Sequence, residues 1–345
     1  MVLIFAVRKI LGLLCASTEL RAGHKQRRHM GFPVTVVLGA SGRIGRVLRH
    51  CWPRTASMAG AEIRWQSRQP LPPQPGATAA NLLDPLADSQ GLAQLCAGAE
   101  VVLCLAGSIP GRGSDLADNS RLACAAVQAA AAQARDCGTP AARVLLSSSA
   151  AVYGNQPGIC GAVRPPHPAN AYGAAKLEME QKALALGQQL GVPVTALRIG
   201  NIAGLDAILG GWQPGFCLDQ FADGRSPRRS YIGPVTLARV LAALVARPKL
   251  PPVLNLAQPG ALEMAALLRA AGHAFAWRPA PAAAIAEVTL ELTPLQKLLQ
   301  DGVLSPALDA ADALQMVAEW ADLEPAFTAK TPLPIDPSPH KEKPR

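Results

Sequence analysis

From Pro33 onward, short apolar runs alternate with longer segments that keep a helical spacing of apolar positions. Thr35–Leu38 is a β-branched run that predicts a strand, followed by a glycine turn and a helix over Ile44–Cys51. Glu62–Gln66 predicts a second strand, Leu86–Cys96 a helix, and Val101–Leu105 a buried strand. An alanine-rich helix over Asn119–Ala134 precedes a strand at Arg143–Leu146. The spacing then predicts a helix over Tyr172–Leu186, closed by Gly187, and a strand over Val192–Arg198. This β-α-β-α order calls for a parallel sheet with helices on both faces. After Gly204 the rhythm breaks into loops, short helices and one further strand at Val253–Leu256.

Composition narrows the class. The 345 residues are 50% apolar and only 17% charged, enough to build a full-sized core and incompatible with disorder over the bulk of the chain. No apolar stretch reaches the roughly 18 to 20 residues of a membrane-spanning helix, so the expectation is a cytoplasmic protein with no membrane partner. The formal net charge of +9 sits mainly at the ends: residues 1–30 carry +5, the tail from Ala326 carries +2, and the body +2. A body this close to neutral has no general attraction for a polyanion, which sets nucleic acid aside as a partner. The eight cysteines form no C-x-x-C pair and no His-x-Cys cluster, so reduced thiols and no metal site are expected.

The first 29 residues are basic and contain a single acid, Glu19. That suits a transit peptide, but the simpler reading starts translation at Met30, just before the first strand. The proline-rich, charged segment 326–345 is expected to be a flexible tail.

The first strand runs directly into Gly39-Ala40-Ser41-Gly42-Arg43-Ile44-Gly45, a G-x-x-G-x-x-G pattern that opens a helix. In such a turn Gly39 permits the tight bend, Gly42 lets the backbone approach a pyrophosphate, and Gly45 lets the helix sit close to the strand. A diphosphate would meet the free N–H groups and positive dipole end of that helix. Glycine turns are common, but this one lies in the first βα unit, where a dinucleotide site requires it. An NAD site usually places Asp or Glu at the end of the second strand, whereas this chain reads Trp65-Gln66-Ser67-Arg68. Arg68, with Ser67 and Arg43 nearby, favours NADP over NAD, although a solvated surface arginine gives the same pattern.

Tyr172-Gly-Ala-Ala-Lys176 puts a phenol and an ammonium four residues apart on one helix face. A nearby cation lowers a tyrosine's ordinary pKa of about 10, so the pair can move a proton on and off a hydroxyl. Chance pairs of this kind are frequent on solvated helices. Here a strand from Arg143 ends in a serine cluster whose last member, Ser149, stands 23 residues before Tyr172. A hydroxyl at the carboxyl end of a sheet strand lies where open α/β sheets bind ligands. His50, His167 and His273 have no partners at ligand spacing.

In order, GASGRIG (39–45), Leu105-Ala106-Gly107, Asn119, SSSAAVYG (147–154), YGAAK (172–176) and LRIGNIAG (197–204) resemble the extended short-chain dehydrogenase/reductases, in particular the NAD(P)-dependent epimerase/dehydratase branch. The resemblance covers about residues 33–258. It implies a Rossmann-type doubly wound parallel sheet in residues 31–204. A smaller substrate-binding part would follow in 205–325, with 233–256 returning to the sheet. It implies Ser149, Tyr172 and Lys176 as the catalytic triad, with Tyr172 and Lys176 also touching the cofactor. Gly39, Ser41, Gly42, Arg43, Ile44 and Gly45 would form the phosphate loop; Arg68, Asn81, Leu82, Leu105, Ala106 and Gly107 would complete the cofactor site. Ser149, Asn201 and Arg229 would face substrate, Arg229 by binding a nucleotide-sugar diphosphate, and Asn119 would support the active-site helix. Asn81-Leu82 stands where the family often carries Asp plus an aliphatic residue, which weakens the adenine contact. The Asp-Glu pair of the family's dehydratases is replaced by Ala150-Ala151, which argues against a 4,6-dehydratase. The implied activity is an NAD(P)-dependent oxidoreductase or epimerase acting on a sugar nucleotide or related small molecule. An NADPH-dependent carbonyl reductase of a non-sugar substrate and a non-catalytic NAD(P)-binding sensor or assembly subunit are the alternatives. The alanine-rich face 122–135 either pairs two subunits in a homodimer or covers the sheet.

Overall fold

The structure, a computed structural model, describes residues 31–111, 115–301, 304 and 306–328. The expectations for residues 1–30, including the start at Met30, and for nearly all of the tail lie outside the described residues. In chain order the elements are β1 (Thr35–Leu38), α1 (Arg43–Cys51), β2 (Ile63–Ser67), β3 (Asn81–Leu82), α2 (Ser89–Leu95) and β4 (Val101–Cys104). Next come α3 (Asp118–Cys137), β5 (Arg143–Ser149), β6 (Ile159–Cys160), α4 (Ala171–Leu190), β7 (Val194–Ile199) and β8 (Asn201–Ile202). The remainder comprises β9 (Cys217–Gln220), β10 (Arg228–Arg229), β11 (Tyr231–Ile232), α5 (Pro234–Ala246), β12 (Val253–Leu256) and β13 (Leu262–Glu263). It closes with α6 (Met264–Ala270), β14 (Ala276–Pro279), β15 (Glu287–Leu290), α7 (Thr293–Gln300) and α8 (Ala313–Thr328).

Seven parallel strands form the central sheet in the order β12-β7-β5-β4-β1-β2-β3. Because side chains alternate along a strand, each strand feeds two cores. Val36, Leu38, Val102 and Val144 pack with Ala123, Ala126 and Val127 of α3 and Met179 of α4. On the opposite face Val37, Leu103, Leu145 and Leu197 pack with Val47 of α1 and Leu237 and Leu241 of α5. Strands buried on both sides must be apolar throughout, as the VVL and VVLC runs are. The result is the Rossmann-type doubly wound fold. Alanines of α3 lie on the sheet, so this helix performs the covering role weighed for it.

Two local expectations differ from the structure. Gly187 does not end α4: the helix continues to Leu190 and is capped by Gly191 at φ +67°. A Cβ on Gly187 would lie 2.4 Å from Val194 Cγ2, so this glycine serves close helix–strand packing instead. The second half also holds a longer helix than expected. α5 starts with Pro234 after Gly233 and is buried almost all round, between the sheet and the C-terminal helices. Its first turn is capped from α8: the Thr236 N–H donates to Glu319 Oε2 at 2.9 Å. The α5 helix then leads to β12, which adds to the sheet beside β7.

Candidate active site

The carboxyl ends of the sheet strands open into a cleft of about 780 Å³. Gly39, at φ +86°, turns the chain out of β1 where a Cβ would strike Ala106 N at 2.7 Å. Gly45 lies behind this loop, where a Cβ would meet Gly39 O at 2.4 Å, so α1 can sit directly under the turn. Ser41, Gly42, Arg43 and Ile44 line the cleft. Helix α1 begins at Gly42 with no side-chain cap and no acid in its first turn, leaving its amino end open to an anion. This uncapped end, against a backbone approach that a side chain would block, fits the diphosphate of a nicotinamide dinucleotide.

Gln66, buried near the end of β2, joins the site through partners that no sequence motif marks. Its Oε1 accepts the Gly39 N–H at 2.9 Å and its Nε2 donates to Leu83 O at 2.7 Å, so one amide fixes both the phosphate turn and the loop after β3. Ser67 and Arg68 also line the cleft. Asn81 and Leu82 do not: both are exposed, and the Asn81 amide donates to Trp65 O at 3.1 Å, leaving Asp84, Pro85 and Leu86 as the residues from this segment that face the cleft. Leu105, Ala106 and Gly107 form its floor. Asn119 pins that segment, accepting the Ser108 N–H at 3.3 Å and donating to Ser108 O at 3.1 Å; a Cβ on Gly107 would collide with its Oδ1.

Ser149, Tyr172 and Lys176 meet in the same cleft. Asn170 caps α4 by accepting the Gly173 N–H at 2.9 Å. Gly173 lets the helix press on the loop after β5, since a Cβ there would lie 2.5 Å from Ala151 O. That approach brings the Tyr172 phenol within hydrogen-bond reach of the Ser149 hydroxyl. Burial pushes the phenol's pKa up, against the Ser149 hydrogen bond and the charge of Arg43, which pull it down. Lys176 is buried, donates to Ser147 O at 2.8 Å, and sits 5.9 Å from the centre of the Tyr172 ring. Burial lowers its pKa to about 8, opposed by the nearby Cys104 and Glu180.

The Lys176 shift has a defined sign. Between about pH 8 and the ordinary lysine value near 10.4 the unfolded chain holds a proton that the folded one has released. Stability contributed through this residue therefore rises with pH across that window. Urea unfolding of the wild type and K176M, compared at pH 8 and pH 10, should show the difference between them shift in favour of the wild type as pH rises.

Asn201 lines the cleft on the side of β7, followed by Leu205 and Asp206. Asp206 accepts from the Tyr231 hydroxyl at 2.8 Å and from the Leu209 N–H at 3.0 Å; no motif in the sequence marked it. Arg229 is placed differently from its expected role. Its guanidinium donates to the Arg228, Ala286 and Ile285 carbonyls and it does not line the cleft. Within the mixed sheet of β13, β10, β15 and β6, β10 pairs with β15, which brings the segment leading into β15 alongside Arg229 as its acceptor. His273 stacks on Trp212 at 4.1 Å, a packing contact. Among the described residues, no group of three His, Cys, Asp or Glu side chains could hold a metal, and no helix is long and apolar enough to cross a membrane.

Known proteins place this geometry. Solved structures with the same fold include MoeE5 in complex with UDP-glucuronic acid and NAD, 20% identical, covering 85% of this chain and 99% of its own at a TM-score of 0.64. UDP-N-acetylglucosamine 4-epimerase from Methanobrevibacter ruminantium M1 is 16% identical and covers 87% of this chain and 100% of its own, with a TM-score of 0.65. A UDP-galactose 4-epimerase is 21% identical over 84% of this chain and 99% of its own, at 0.58. No curated protein matches the sequence. The sequence profile of the NAD dependent epimerase/dehydratase family matches residues 35–208, which span the phosphate turn, Ser149, Tyr172 and Lys176. The chain belongs to that family and is an enzyme of the NAD(P)-dependent epimerase/dehydratase type.

Proposed function

We propose that the enzyme moves a hydride between the nicotinamide and a hydroxyl- or carbonyl-bearing carbon of a sugar nucleotide or related small molecule. The observation that carries this reading is the convergence of Ser149, Tyr172 and Lys176 beside an uncapped helix end that suits a dinucleotide. When bound, the nicotinamide supplies the hydride donor or acceptor. Tyr172 exchanges the proton at the substrate oxygen, Ser149 donates a hydrogen bond that polarises that oxygen, and Lys176 tunes the phenol and holds the cofactor ribose. Neighbouring folds carry UDP-sugars, which supports the substrate class. The test is isotopic. Substrates of this class turned over in deuterated water should keep solvent deuterium out of the reacting carbon, because the hydride travels through the cofactor. Solvent deuterium at that carbon would overturn the proposal.

Arg68 supports a second reading, an NADPH-dependent carbonyl reductase that releases its cofactor. It lines the cleft where an acid would otherwise hold the ribose hydroxyls, and Arg229, offered for the sugar diphosphate, is committed to backbone carbonyls. On this reading NADPH binds more tightly than NADH in a fluorescence titration. R68A should then lose about 1.5–3 kcal/mol of NADPH affinity, a charge-assisted contact, with little change for NADH. Tightly retained NAD in the purified protein would contradict it and favour an epimerase cycle.

A further inference from the structure

Among its described residues, helix α8 supplies none of the cleft lining, yet it reaches both segments between which a dinucleotide diphosphate would lie. It packs on α1, α5 and α6. Its Glu319 carboxylate anchors it to the start of α5, accepting the Thr236 N–H at 2.9 Å and the Thr236 hydroxyl at 2.5 Å. This anchor fixes where the aromatic side chains of the later turns fall.

The Trp320 indole fills the space that Gly204 leaves open: Gly204 is at φ +78°, and a Cβ there would overlap the ring. Gly204 leads into Leu205 and Asp206, which line the cleft on the β7 side. About two turns further along α8, the Phe327 ring packs edge-on against Trp320 with the ring centres 5.3 Å apart. The Arg46 guanidinium lies over the Phe327 ring, 4.2 Å from its centre. Arg46 belongs to the first turn of α1, and its N–H donates to Gly42 O, on the phosphate turn, at 2.9 Å. On the cleft side Arg43 donates to the Leu205 carbonyl. The contacts form a closed ring, running from α1 through Arg43 to Leu205 and Gly204, then to Trp320 and Phe327, and back through Arg46. Arg46, Gly204, Trp320 and Phe327 are not among the residues lining the cleft.

A diphosphate on this turn is held by backbone N–H groups whose positions α1 sets. Any freedom of α1 against the Gly204–Leu205 segment must be lost when the ligand binds, at a cost to affinity. Arg43 supplies one attachment, a hydrogen bond from an exposed side chain. Arg46 supplies the second, and both it and Phe327 are half-buried, where a cation–π contact is stronger than in open water.

We propose that Phe327, backed by Trp320, is a positioning residue for the dinucleotide. From outside the cleft it holds the first turn of α1, through Arg46, against the Gly204–Leu205 wall. The proposal rests on the reading of residues 39–45 as the diphosphate site, and on neither the substrate nor the direction of hydride transfer.

The test is calorimetric titration with NADPH and with NADH of the full chain, of F327L, F327Y and R46M, and of the double variant F327L/R46M. Urea unfolding of each is measured alongside. A merely structural Phe327 would lower the unfolding midpoint and leave the Kd of the folded protein unchanged. The expected result is a Kd for the tighter dinucleotide raised at least about threefold in F327L and in R46M. The double variant should bind no more weakly than R46M, and F327Y, which keeps the ring, should stay within about twofold of the wild type. R46M removes the same contact from its other partner, so the proposal stays testable should F327L not fold. A smaller loss in F327L or R46M, additive losses in the double variant, or F327Y binding no better than F327L would each overturn it. A wild type that binds neither dinucleotide would overturn the diphosphate reading and the proposal together, whereas wild-type binding that F327L leaves intact removes the proposal alone.

Discussion

Replacing Tyr172 by Phe is expected to lower kcat by a factor of about 10² to 10⁴ and leave dinucleotide affinity near that of the wild type. The ring keeps its half-buried seat 5.9 Å from Lys176 Nζ, so packing is preserved and only the hydroxyl is lost. That hydroxyl meets Ser149, at the end of β5, where the reacting oxygen would sit. The cofactor contacts argued above come mainly from the turn after β1, the amino end of α1 and the segment after β4, none of which the substitution touches. Initial-rate kinetics with a separate cofactor titration would check the split. A parallel fall in affinity and turnover would mean that Tyr172 is a structural residue.

The second large effect concerns stability. Glu180 and Arg198 form an ion pair at 2.7 Å with side chains only 2% and 4% exposed. Arg198 also donates to the Tyr153 hydroxyl at 3.0 Å, and the Tyr153 hydroxyl donates to Asn255 Oδ1 at 2.7 Å, tying β7 to β12. Ser148, next to Ser149, donates to Glu180 Oε1 at 2.5 Å, and Glu180 follows Lys176 by one helical turn. Removing one member strands the other charge in the core. E180A should therefore cost about 3–5 kcal/mol, read as a lower urea midpoint at unchanged slope. The double variant E180L/R198M, which removes both charges and keeps apolar volume, should recover much of that loss. A loss in E180A below about 1 kcal/mol, the range of an exposed pair, would contradict this account.

The chemistry-bearing part of the site is legible in the sequence because each piece is local. The glycine turn, the Tyr–Lys spacing and the strand-end serines are each set within a few residues, and the parallel sheet brings their strand ends together. The placement of Arg229 was not legible because its partners, the carbonyls of Ile285 and Ala286, come from the segment leading into β15, more than fifty residues away. Gln66 and Asp206 escaped notice for the same reason: what makes them site residues is where their partners end up. Gly187 shows the converse problem. A glycine near a helix end reads equally as a stop or as a packing contact, and only the position of Val194 decides between them. The helix Pro234–Ala246 is covered almost all round, Arg239 being its exposed residue, so it lacks the broad polar face that reveals other helices.

The central claim is that Tyr172 moves a proton while the nicotinamide carries the hydride. It is tested most directly by following absorbance at 340 nm in the full chain and in Y172F, with oxidised cofactor and nucleotide sugars or with NADPH and carbonyl compounds. The account predicts a 340 nm change in the wild type, rising or falling with the direction of transfer, and its near-complete loss in Y172F. Solvent deuterium appearing at the reacting carbon, or equal 340 nm changes and product yields in wild type and Y172F, would contradict it.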